Sequence, residues 1–339
     1  MAETNLFPYV RSKLMRTIQL LTTSFCVVAL AAACGDADET STSSTTQSSS
    51  SGMGGSSSSS TAMGGATSSS TAMGGATSSS TGGGPVMVDC TAGADHLLIS
   101  EVGIASTPHE FLEIWNPGTD DVKLDGYYVS DNSTYHGLAT GAPWEPIESV
   151  KGSDFLAHFP AGAVIKAGAY ITIAAGTGFE TGLMTCPDYA LGGQALMCNN
   201  RAVPAMVAPP NGSVGSQLGG MFSNSGEMAI LFCWDGVSTT VKDVDYVHWN
   251  DPDKAQVLVD KSGVAGYQAD TAKENQQYLQ KLSFKMGEAG GIERCGTGET
   301  SETAMGGNGI TGHDETSEDT SQSFQEFSTA TPGAMNDCK

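Results

Sequence analysis

The sequence predicts a mainly β domain that follows a long leader with almost nothing to bury. Two apolar clusters, Leu97, Leu98, Ile99 and Val102, then Phe111, Leu112, Ile114 and Trp115, are rich in strand formers and separated by Gly, Ser, Thr and Pro. Comparable short runs recur at 122–131, 164–174, 226–234 and 241–249, each bounded by turn residues. One stretch, 267–281, has the mixed Ala, Glu, Gln and Leu content of an amphipathic helix.

In chain order, the first element is an export signal. Arg11, Lys13 and Arg16 precede an apolar run through Phe25, Val27, Val28 and Leu30, which ends in Ala31-Ala32-Ala33-Cys34. Charge, apolar core and small residues in that order predict a signal peptide over 1–33. Its core of about a dozen residues falls short of the roughly 20 that a spanning helix needs. The residues before Cys34 resemble a bacterial lipobox, although Ala31 stands where that motif prefers Leu. The resemblance implies that Cys34 is lipidated and becomes the mature N-terminus. Several acyl chains on one cysteine give stable anchoring. Gly35, rather than Asp, after the cysteine favours the outer membrane by the same resemblance. The expected address is therefore exported and membrane-anchored through lipid. Ordinary cleavage after Ala33, which would release a soluble protein, is the alternative.

Residues 34–89 then form a linker of Ser, Thr and Gly, too poor in apolar side chains to offset the entropy of ordering. SSSTAMGGAT recurs in it at 58–67 and 68–77, a repeat too short and polar for a solenoid. About 50 residues of this kind reach about 35–42 Å, enough to hold a domain clear of a lipid surface.

The folded region is expected at 90–338. A strand ending Ile99-Ser100-Glu101 is followed by Phe111-Leu112-Glu113-Ile114-Trp115-Asn116-Pro117. Next comes a strand pair around the turn in Val122-Lys123-Leu124-Asp125-Gly126-Tyr127-Tyr128-Val129-Ser130-Asp131. Phe159-Pro160-Ala161-Gly162 and Tyr170-Ile171-Thr172-Ile173-Ala174 come next, and two further strands lie at 226–232 and 241–249. Gln280-Lys281-Leu282-Ser283-Phe284 reads as a closing strand, and Thr331-Pro332-Gly333 with Asn336 ends the series. This order of pieces resembles the lamin tail domain family over most of 96–336. The resemblance implies an immunoglobulin-like β-sandwich of the lamin tail domain type. Two segments depart from the pattern, about 176–221 and about 286–320, and both read as surface insertions. The second repeats the linker's Thr-Ala-Met-Gly-Gly at 303–307.

Catalytic signatures are few. His109-Glu110-Phe111-Leu112-Glu113 begins like a zincin helix, but Glu113 stands where the second His belongs, and a strand is expected there. Asp251 and Asp253 begin like a calcium loop, yet Ala255, Gln256 and Ser262 occupy later ligand and glycine positions. No nucleophile elbow, P-loop or C-x-x-C occurs. No catalytic residue is assigned. Glu101 and Glu113 are the acids of most interest, because they lie in apolar strands and can face each other across a sheet. Such a pair can do acid–base work or hold Ca²⁺, or can satisfy backbone N–H groups, which is the favoured reading. No cofactor is otherwise expected. Asp120, Asp121, Asp125 and Asp131 read as solvated turn residues. Trp115, Trp144, Trp234 and Trp249 can line a carbohydrate platform, but Trp115 and Trp249 read first as core or edge packing.

Apart from Cys26 and Cys34, the cysteines are Cys90, Cys186, Cys198, Cys233, Cys295 and Cys338, an even set that predicts disulfides in an exported chain. The expected pairs are Cys186 with Cys198, Cys90 with Cys338 and Cys233 with Cys295. The net charge of -22, with 15 Lys+Arg against 37 Asp+Glu, disfavours nucleic acid as a partner. The sequence thus points to a noncatalytic domain, displayed on a cell envelope for binding or adhesion, with a protein or glycan surface as partner. An envelope hydrolase or calcium-dependent glycan-binding enzyme using Glu101 and Glu113 is the alternative. Nucleic-acid binding, suggested only because lamin tail domains sometimes accompany nucleases, is a second.

Overall fold

The computed structural model describes residues 90, 96–106, 109–142, 153–193, 195–216, 220–250, 258–280, 282, 290–299, 301–327, 329–336 and 338. The expected signal peptide, Cys34, the linker, Trp144, Asp251 and Asp253 lie outside the described residues.

Two antiparallel-rich sheets pack face to face. The larger is built from β1 (Leu98–Ala105), β2 (Phe111–Trp115), β7 (Tyr170–Ala174), β8 (Tyr189–Ala190), β14 (Gly290–Arg294) and β15 (Phe324–Phe327), in the order β15-β14-β1-β2-β7-β8. The smaller runs β11-β5-β4-β12-β13, from β4 (Tyr127–Ser130), β5 (Phe155–His158), β11 (Ser213–Val214), β12 (Gly226–Cys233) and β13 (Lys242–Asn250). Alternation decides which side chains enter the core between them. Ile99, Val102, Leu112, Ile114, Ile171, Ile173 and Ile292 point in from one sheet. Tyr127, Val129, Phe155, Ala229, Leu231, Val247 and Trp249 meet them from the other. Each fully buried large side chain contributes about 1.5–3 kcal/mol of transfer free energy.

Both faces of the smaller sheet are apolar, so it needs a second cover. Tyr128, Leu156, Met228, Ile230, Phe232 and Tyr246 on its outer face pack under Tyr135 and Leu138 of a 3-10 turn (Tyr135–Thr140) and under Leu258 and Val259. Lys261 is sealed beneath this cover. Its ammonium donates to Asp243 at 2.7 Å and to the Tyr135 hydroxyl at 3.0 Å, and lies 3.0 Å from Asp270. At the core edge Arg294 on β14 donates to both oxygens of Asp245 on β13 at 2.7 Å and to Glu318 at 2.8 Å, which ties the two sheets together.

Several expectations change in three dimensions. The segment 267–281 is not a helix; its described part is extended, with one 3-10 turn at Lys273–Asn275. Its N–H groups are taken by distant side chains instead of by i−4 carbonyls: Gln268 donates to Asn308 and Thr271 to Asp314, at 2.9 and 2.7 Å. The 122–131 strands are not paired with each other. β3 (Val122–Lys123) joins β6 (Val164–Ile165), and β4 enters the smaller sheet, so the intervening turn crosses between layers. Neither insertion is purely surface. The first contains β8 and β11, and also α1 (Gly178–Leu183) with the hairpin of β9 (Leu196–Cys198) and β10 (Arg201–Val203). The second contains β14, an interior strand whose Gly-Gly start is short of strand signal. Gly291 is required there, since a Cβ would run into the Val102 carbonyl and the Phe327 ring. The closing strand expected at 280–284 is not seen at Gln280 or Leu282; Lys281, Ser283 and Phe284 are outside the described residues. Closure comes from β14 and β15.

The disulfides join Cys186 with Cys198, Cys90 with Cys233 and Cys295 with Cys338. Cys186–Cys198 is the expected loop closure. The pairs Cys90–Cys338 and Cys233–Cys295 do not form. Cys233 ends the core strand β12 beside the entry of the domain and so meets Cys90, whereas the segment after β15 returns along β14 and brings Cys338 to Cys295.

Candidate functional site

Glu101 and Glu113 are direct partners across β1 and β2, and Glu101 also faces Glu293 on β14. Like charges set opposite in a sheet repel. A bulge at Ser100 turns its hydroxyl onto Glu113 at 2.8 Å, and residues 329–336 run back over the row as a strap. Thr331 N–H donates to both oxygens of Glu101 at 3.0 and 3.2 Å, and Gly333 N–H donates to Glu113 at 2.5 Å. Asn336 fastens the end of the strap by donating to the Ser100 carbonyl at 2.7 Å and the Arg294 carbonyl at 3.3 Å. Gly333 has φ of 84°, a left-handed turn that favours glycine. The Thr-Pro-Gly-x-x-Asn signature is therefore the lid of the glutamate row. Burial pushes the Glu101 carboxyl up to about 8, with the Thr331 N–H opposing and the Glu113 and Glu293 charges adding. Burial likewise raises Glu113 to about 7, against the Gly333 and Ser100 hydrogen bonds. Both residues lie at 0% exposure, with their carboxylates turned to the strap's N–H groups.

The other acids separate by depth. Asp120 and Asp121 are exposed, as expected, and Asp125 caps Gly162 N–H at 2.8 Å. Asp131 is buried instead, accepting from Phe155 N–H at 2.8 Å. Trp249 is core. Trp115 stacks on Tyr170 with ring centroids 5.7 Å apart and both rings half-buried on the outer face of the larger sheet.

A cleft of about 420 Å³ opens at one end of the larger sheet, beside the start of β1 and the end of β2. Leu98 and Pro117 form apolar wall, and His96, Glu299, Glu302, Thr311 and His313 supply the polar lining. His96 Nε2 lies 2.5 Å from Glu299, and His313 Nδ1 lies 2.6 Å from Glu302. Residues 304–314 fold back on themselves to place the last two: Met305 bridges His313, and Gly309 N–H donates to the His313 carbonyl at 2.9 Å. The Thr-Ala-Met-Gly-Gly repeat thus serves as a tight turn. Its Gly307 touches Asp314 so closely that no Cβ fits. Sequence reasoning missed this site. The available signal was Glu299-Thr300-Ser301-Glu302 followed by His313 and Glu315 in a segment read as insertion.

Comparison with known proteins adds the following. No curated protein matches the chain. Among solved structures it is similar to a DUF4876 family protein from Bacteroides thetaiotaomicron, at 15% identity over 68% of this chain and 70% of that one, with a TM-score of 0.36. The Lamin Tail Domain family matches residues 91–269, from before β1 through the cover of the smaller sheet, and leaves β14, β15 and the strap beyond it. With that match over more than half of its length, on a two-sheet β-sandwich, the chain belongs to the Lamin Tail Domain family.

Proposed function

We propose that this chain is a cell-envelope lipoprotein that displays a noncatalytic Lamin Tail Domain for binding or adhesion. The observation that carries the reading is the sealing of Glu101 and Glu113 by Thr331 and Gly333. The two acids best suited to acid–base work are spent on backbone N–H groups and have no access to substrate. Cys34, lipidated after removal of 1–33, anchors the protein; the address is the outer membrane, and the linker holds the sandwich away from the lipid. The partner is a protein or glycan surface, not nucleic acid, given a net charge of -22.

The test incubates the purified chain with glycans, esters, phosphoesters and peptides, with and without Ca²⁺, and scores both turnover and retention. Retention without turnover supports the reading. Turnover abolished by Glu113→Gln overturns it. The second reading, an envelope hydrolase, is favoured by one feature only, the polar cleft at His96, Glu299, Glu302 and His313. Turnover that survives Glu113→Gln and is lost in Glu302→Gln would move the assignment there.

A further inference from the structure

We propose that the cleft holds one divalent transition-metal cation, ligated by His96, Glu299 and Glu315, with the Glu302–His313 pair beside it. The ligand atoms of His96, Glu299 and Glu315 all lie within 4.8 Å of one another. Two ligands of a zinc-sized ion, each at about 2.0–2.2 Å from it, are separated by up to about 4.4 Å, so a small inward movement closes the shell.

Charge balance points the same way. Asp245, Glu299, Glu302, Glu315 and Glu318 are gathered with side chains at most 5% exposed, and Arg294 is the fixed cation among them. Its guanidinium is spent on Asp245 and Glu318. Among the described residues, the three remaining glutamates have the imidazoles of His96 and His313 as their cationic partners. Glu299 Oε1 is buried with no hydrogen-bond partner among the described residues, as are His96 Nδ1 and Thr311 Oγ1, and the Glu302 and Glu315 carboxyls face each other. Native interiors leave few such atoms, and burying several carboxylates in one place is costly. Water can accept or donate there but cannot neutralise the charge; a dication takes up the carboxylate lone pairs and offsets their charge. Gly309 keeps the place open, since a Cβ at that position would collide with Glu315 Oε1.

The donor set selects the metal. Imidazole nitrogen beside carboxylate oxygen suits zinc and its first-row neighbours, whereas Ca²⁺ and Mg²⁺ take oxygen shells. Two other groupings carry no ion: Cys186 and Cys198 beside Glu180 are joined in a disulfide, and Asp245 with Glu318 is filled by Arg294. The Lamin Tail Domain match ends at residue 269, so the site joins His96 from the matched region to glutamates supplied from beyond it.

The experiment uses the untagged full chain carrying Cys26→Ser and Cys34→Ser, so that no thiol outside the three disulfides competes. After EDTA treatment and dialysis, zinc chloride, manganese chloride and calcium chloride are titrated calorimetrically, and thermal unfolding is followed with and without each metal. Saturable uptake of one zinc per chain, a rise in Tm with zinc and no uptake of calcium are expected. Glu299→Gln and Glu315→Gln should each weaken zinc at least about tenfold. Because Glu315→Gln removes a buried carboxyl that has no cation of its own, it should unfold at or above the temperature of the metal-free parent, which separates loss of a ligand from loss of the fold; Glu299→Gln also gives up the His96 contact. Absence of one-to-one zinc uptake by the parent chain, or zinc binding unchanged in both variants, would overturn the proposal. The readout is metal uptake, so it is independent of whether the domain adheres to a surface.

Discussion

The backbone N–H of Gly333 donates to the carboxylate of Glu113 across 220 positions of sequence, at 2.5 Å. That bond, with its neighbour from Thr331 to Glu101, makes the C-terminal strap part of the sheet it covers. Asn336→Ala removes the donor that fastens the strap to the Ser100 and Arg294 carbonyls. A loss of about 1–3 kcal/mol is expected in urea unfolding, with faster hydrogen exchange at the Thr331 and Gly333 amides. An unchanged midpoint and unchanged exchange would show that the strap holds without it.

The glutamate row also sets a pH dependence. Folded Glu101 titrates near 8 and Glu113 near 7, both above the ordinary value of 4.5. Between about pH 4.5 and about 8 the folded chain holds protons that the unfolded chain has released. Stability from this row is therefore fully present below that window and lost as pH rises through it. Thermal midpoints should fall from pH 5 to pH 8.5, and Glu101→Gln should flatten the fall. A Glu101→Gln profile parallel to the parent's would locate the protons elsewhere.

Lys261 is wholly enclosed between Asp243 and Asp270. Lys261→Met leaves two carboxylates buried without their cation, and a loss of about 3–5 kcal/mol is expected by chemical denaturation. Adding Asp243→Asn to Lys261→Met should restore part of it. Equal stability of Lys261→Met and the parent would mean that the pocket relaxes or takes up water.

The three disulfides close loops of 143, 43 and 12 residues. In the chain-entropy model their loss costs about 5, about 4 and about 3 kcal/mol respectively. Paired Cys→Ser variants should fall in that order, with Cys90–Cys233 the most damaging. The reverse order would place the stabilisation in folded-state packing rather than in the unfolded chain.

Strands with their own run of strand-forming residues between turn signals, such as β2, β7, β12 and β13, could be read directly from the sequence, because such a run marks one strand at a time. β14 could not. Gly290 and Gly291 carry no strand signal, and their place is decided by the close approach of Val102 and Phe327. The 267–281 helix expectation failed for a related reason: the residues that claim its N–H groups, Asn308 and Asp314, are about 40 positions away. Glu101 and Glu113 stand out in the sequence as acids in apolar strands and do pair across β1 and β2; their donors, Thr331 and Gly333, lie more than 200 positions away, and nothing local ties them to the pair. The cleft depends on four segments meeting, at His96, Pro117, Glu299 and His313, and no local pattern announces such a meeting.

Synthesis runs from the N-terminus, so Glu101 and Glu113 exist for more than 200 residues of elongation before Thr331 and Gly333 are made. Until those residues dock, Glu101 and Glu113 are carboxylates in water, ionised and hydrated at neutral pH. Docking of 329–336 is what dehydrates them. A chain cut before Thr331 would therefore keep like charges uncovered on its central strands.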